Sequence, residues 1–164
     1  MIRTALGLMI ALGGVTATAA PANRIAVVSG PGDVFVTQAA EDELAQAFPN
    51  ARNVQWKSAE EEGVYTAYFS VGSVKTTANI DKDGALLSVF RYFDAATVPD
   101  RIRTILTTQF PDKTIDGVTE MVDNTSPDGT DVTTYQGTIE DAQHIYKVRI
   151  DGKKAKITET MDKQ

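Results

Sequence analysis

Apolar residues recur at every fourth position in two stretches that lie 62 residues apart. Val36, Ala40, Leu44 and Phe48 form one ladder, and Val98, Ile102, Leu106 and Phe110 form the other. That spacing lines side chains along one stripe of a helix and predicts amphipathic helices over roughly 37–48 and 99–110. Thr37 reads as an N-cap with Glu41, Asp42 and Glu43 behind it, while Pro99 suits a first helical position, where a missing N–H is harmless. Each ladder ends in Phe-Pro, and a proline drives the residue before it out of the helical region.

After each helix the period drops from 3.6 to 2. Strands are predicted over 52–57, 64–71, 74–80 and 85–93, with Gly72-Ser73 and Asp81-Lys82-Asp83-Gly84 as the intervening turns. The second half reads the same way, over 115–122, 132–139, 144–150 and 154–160, with a polar loop from Asn124 to Gly129 and a turn at Asp151-Gly152. Ile80-Asp81 and Ile150-Asp151 stand 70 residues apart, so the second half carries eight more residues, placed most economically in the loop around Pro127. The expected fold class is α+β, with two tandem helix-plus-four-strand repeats forming one antiparallel sheet and the helices packed on one face.

The first residues follow another rule. Positions 1–19 open with Arg3, run apolar and close on Ala17-Thr18-Ala19, the layout of a secretory signal peptide. A lead-in segment, 20–35, would follow, and then one domain over 36–164 with halves 36–97 and 98–164. The run is too short and too rich in Gly and Thr for a membrane-spanning helix, so no membrane insertion is expected after processing, and the destination is the periplasm or the medium. With 42% hydrophobic and 23% charged residues in a chain of 164, the composition is globular rather than disordered. The formal net charge of −6, or −7 once Arg3 is removed, argues against a nucleic-acid partner. Without cysteine there is neither a disulfide nor a thiolate ligand, and no cofactor is expected.

The order of helix, Phe48-Pro49, Val54-x-Trp56, Ile80-Asp81-x-x-Gly84-x-Leu86-Leu87, Val98-Pro99 helix and Phe110-Pro111 resembles the PepSY-like, β-lactamase-inhibitor-like domain family of secreted bacterial proteins. The match spans about 36–160. The resemblance implies a fold of tandem α/β units whose sheet can dock an enzyme, and an extracytoplasmic address. It implies no functional residue, since the shared positions are packing and turn residues. The second half departs from the pattern, with no Trp after Phe110-Pro111.

Chemistry-bearing residues are sparse. Asp81-Lys82-Asp83-Gly84 resembles the start of a calcium loop, but the twelfth position is Tyr92 rather than Glu, so the segment reads as a hairpin turn and no metal site is expected. The lone His144 has no orienting partner in sequence, and no serine sits in a nucleophile elbow, so an enzyme is not expected. Strand parity offers more. If the apolar residues of each strand face the helices, then Tyr68, Lys75, Thr77, Lys147, Arg149, Lys154 and Lys156 face outward, and an acidic protein carries a basic sheet face. The expected function is a non-enzymatic binding or inhibitor-like module recognising an extracytoplasmic protein or anionic envelope component through that face. The alternative is a periplasmic carrier of a small ligand or ion.

Overall fold

Both apolar ladders form helices, α1 (Gln38–Ala47) and α2 (Asp100–Gln109). The computed structural model describes residues 34–126 and 129–164. The expected signal peptide and all but the last two residues of the lead-in segment lie outside the described residues, as do Pro127 and Asp128.

Thr37 caps α1, its Oγ1 accepting from the Ala40 N–H at 3.4 Å and donating to the Lys82 carbonyl at 2.8 Å. Pro99 stands one position earlier than expected, as the N-cap of α2 with φ −55° and ψ 136°. Its carbonyl accepts from the Arg103 N–H at 2.9 Å, so the helical hydrogen bonds start from the proline itself. Phe48 and Phe110 end the helices in nearly the same conformation, φ −132° and −133°, as the following prolines require.

Four strands follow each helix: β1 (Ala51–Ser58), β2 (Val64–Val71), β3 (Val74–Asp81) and β4 (Leu86–Asp94), then β5 (Thr114–Asp123), β6 (Val132–Glu140), β7 (His144–Asp151) and β8 (Lys154–Asp162). They pair in chain order as one eight-stranded antiparallel meander.

The register carries one face assignment across the sheet. Ala67, Ala78, Val89 and Val122 are successive cross-strand partners, and so are Val118, Gly137, Val148 and Ile157. Val118 and Val122 share a face of β5, so both sets point the same way. Helix α1 lays Ala40, Leu44 and Phe48 on the first set, with Phe48 and Phe69 rings 4.8 Å apart, and α2 lays Val98, Ile102 and Leu106 on the second. These are two separate apolar clusters on one sheet. Between them, on the same face, Arg91 pairs with Glu120, which also accepts from Tyr135 Oη at 2.6 Å.

Each helix also grips the last hairpin turn of its half. Gly84, at φ +89°, brings the β3–β4 turn so near α1 that a Cβ would lie 2.9 Å from the Ala39 carbonyl oxygen. From α2, Arg101 Nη2 donates to the Gly152 carbonyl at 2.6 Å, and Gln109 bridges Lys153 O and Ala155 N at 3.0 Å each.

Candidate functional site, the uncovered sheet face

With both helices on one side, no described element covers the other side of the sheet. Its side chains alternate with the core residues, so the same register that builds the core also builds this surface. One straight row of cross-strand partners crosses all eight strands: Arg52, Ser70, Lys75, Tyr92, Thr119, Gln136, Arg149 and Lys156. A parallel row runs Gln55, Tyr68, Thr77, Phe90, Met121 and Thr134.

Charge is distributed unevenly along these rows. Arg52, Lys57 and Lys75 lie on β1 and β3, and Lys147, Arg149, Lys154 and Lys156 on β7 and β8. The lane between them carries Phe90, Tyr92, Thr119, Met121, Thr134 and Gln136, all uncharged. Tyr68 and Tyr92 are 42% and 44% exposed, among the few large apolar side chains that open to solvent. With Gln55, Ser70, Lys75 and Thr77 they line a shallow depression of about 590 Å³. Lys57 Nζ lies 5.2 Å from the Tyr68 ring centroid, a cation–π distance.

The residues expected from strand parity fall into two groups. Tyr68, Lys75 and Thr77 sit together at this depression, whereas Lys147, Arg149, Lys154 and Lys156 sit four and five strands away from β3. Thr77 faces this side but is only 8% exposed, shielded by its larger neighbours. Lys147 is engaged by Glu159 at 2.7 Å. Among the described residues, Arg52, Lys75, Arg149, Lys154 and Lys156 form no ion pair.

Sequence reasoning did not single out Arg52 or Tyr92. Simple alternation puts Arg52 with Val54 and Trp56, on the helix side. Asn53, at φ 56°, forms a bulge that turns Arg52 round to face with Ser70. Tyr92 could have been found from its parity with Phe90, once a face had been chosen for that strand.

Groups with chemical potential elsewhere are committed to the fold. Asp81 Oδ1 accepts from the N–H groups of Asp83 and Ala85 at 3.0 and 2.7 Å, which makes the acidic run a turn. Asp141 accepts from Lys113 Nζ and Tyr146 Oη at 2.7 Å each, and from the N–H groups of Gln143 and His144. Those donors, Lys113 first, hold its carboxyl well below the usual carboxylate range, and the same contact raises the Lys113 ammonium above its ordinary value. His144 sits at the rim with Nδ1 3.5 Å from Asp141 and Nε2 3.3 Å from Asp162. Among the described residues no group of three or more His, Asp or Glu side chains could hold a metal ion, and no helix is long and apolar enough to cross a membrane.

No protein-family model and no curated protein matches the chain. Solved structures do. A BLIP-like protein from Bacteroides fragilis is 16% identical with a TM-score of 0.57, over 80% of this chain and 89% of that one. A DUF2874 family protein from Bacteroides uniformis is 14% identical with a TM-score of 0.55, over 78% and 90%. A candidate periplasmic protein from Bacteroides eggerthii is 14% identical with a TM-score of 0.54, over 79% and 90%. At such identities the likeness establishes the fold and leaves the activity to be argued from the site.

Proposed function

We propose that this chain is an exported, non-enzymatic binding or inhibitor-like module whose two halves are tandem copies of one unit, related to PepSY-like and BLIP-like domains. It recognises an extracytoplasmic protein or envelope component through the uncovered sheet face. The observation that carries this reading is the full-width row of side chains, with cations at both ends that form no ion pair among the described residues and exposed tyrosine within it, on a sheet whose other side is closed by helices. Interfaces concentrate their energy in Tyr and Arg anchors set among polar neighbours. The neighbour described as periplasmic supports export. The alternative, a carrier, would use a pocket between helices and sheet or the acidic loops; the helix–sheet space is filled by Leu44, Ile80, Leu106 and Ile139, each at most 2% exposed, and among the described residues no three His, Asp or Glu side chains group to hold an ion.

Site-specific photo-crosslinking in the producing cell tests the reading. A benzophenone amino acid replacing Tyr68 or Tyr92 is expected to yield cross-linked partners, while the same probe at Gln46 or Thr108, exposed on the helices, yields few. Cross-links formed only from the helix positions would overturn it.

A further inference from the structure

The distribution of charge on the uncovered face goes further than its sign. Lys75 and Arg149 lie in one cross-strand row with Tyr92, Thr119 and Gln136 between them. Four strand spacings of about 4.8 Å separate the two cations by roughly 19 Å. The interval holds no charge and is the apolar part of the face, with Tyr92 in the row and Phe90 and Met121 beside it. At the ends of the central strands, Asp94 and Asp123 flank this lane.

We infer that the partner is a protein presenting an apolar centre between two acidic clusters about 19 Å apart, seated with that centre on Tyr92 and its acids on Lys75 and Arg149. The inference rests on the open-face reading and names the chemistry of its partner. Charge complementarity is the argument. A polyanion of even charge density, such as a nucleic acid, a polyuronate or an anionic bilayer, would leave anionic groups over the neutral lane, where Tyr92 and Met121 offer nothing to neutralise them and Asp94 and Asp123 repel them. A protein surface can be apolar in the middle and charged at the rim, and that is the pattern mirrored here. The cations are available for it, because Lys75 and Arg149 form no ion pair among the described residues.

An extended peptide spans 19 Å in about six residues. The probe is therefore a labelled eight-residue peptide with two Glu at each end and four neutral residues, including Trp and Leu, between them, which sets the centres of its acidic pairs about six residues apart. Its binding to the purified chain is followed by fluorescence anisotropy beside three comparators: eight-residue polyglutamate, polygalacturonate and phosphatidylglycerol vesicles. The peptide with the apolar centre is expected to bind about tenfold tighter than polyglutamate and to weaken about tenfold with Lys75→Glu, Arg149→Glu or Tyr92→Ala, the charge reversals losing their effect at high salt. Melting temperatures of the variants verify that they are folded. Equal or tighter binding of any comparator overturns the inference in favour of a general polyanion surface. If no probe binds while cross-links still form from Tyr68 and Tyr92, the open-face reading stands and this partner chemistry is wrong. Cross-links confined to the helix face remove both.

Discussion

At the scale of single residues, polar side chains in this protein hold turns and seams in place. Asp141 gathers an ammonium, a phenol and two backbone N–H groups at the β6–β7 turn. Because its carboxyl is held below its ordinary value, the stability it contributes is present above the unfolded-state value near 3.9 and is lost as pH falls through the folded-state value. Asp141→Asn should therefore melt lower than the parent chain at pH 7, and the gap should close as melts are recorded below about pH 4. At the seam between the two apolar clusters, burial and the bond to Glu120 push the Tyr135 hydroxyl up to about 12. Gly84 makes a backbone argument of the same kind. Gly84→Ala meets both the φ of +89° and the Ala39 carbonyl, whereas Gly72→Ala meets φ +61° and open space. Gly72→Ala should cost about 1 kcal/mol, and Gly84→Ala distinctly more, measured as a shift in the denaturant midpoint.

At the scale of elements, each ten-residue helix is short enough that its stability comes from docking rather than from helix propensity. Leu44 and Leu106 are 2% and 1% exposed and anchor α1 and α2 to the sheet. Truncation of either to Ala should destabilise by about 2–5 kcal/mol, read from chemical denaturation. An unchanged midpoint for one of them would show that its helix is not held by this contact. The strands are regular enough for alternation to separate core from surface, except at four register shifts, in the β1–β2, β3–β4, β5–β6 and β7–β8 pairs. The first, at Asn53, matters most for the face, because it brings Arg52 into the cationic row.

At the scale of the whole molecule, a meander in which every strand pairs with its chain neighbour joins two apolar clusters into one surface. Continuous β4–β5 pairing and the Arg91–Glu120 contact close the join on the covered side. On the open side the same continuity gives the cationic wings a fixed separation. Reversing Lys75, Lys147 and Arg149 together to Glu should change stability by no more than about 1 kcal/mol per site, since the side chains are exposed and, among the described residues, only Lys147 forms an ion pair. Thermal melting checks this. A collapsed transition would mean that these residues are not on the open surface.

Much of the fold could be read from the chain because its signals are local. A ladder of four-residue steps, a Phe-Pro stop and Asp-Gly turns depend on neighbours close in sequence, and consecutive strands joined by short turns leave little choice of partner. Strand alternation likewise placed Tyr68, Lys75 and Arg149 opposite the core. What alternation could not supply was register. Whether Lys75 stands in line with Arg149 depends on four strand pairings and two irregularities between residues far apart in sequence, and each one-residue slip moves a side chain to the other face. The local pattern therefore determined helices, strands and the sign of the uncovered face. Only the assembled sheet decided which cations share a row, which of them Glu159 engages, and that a neutral aromatic lane lies between them.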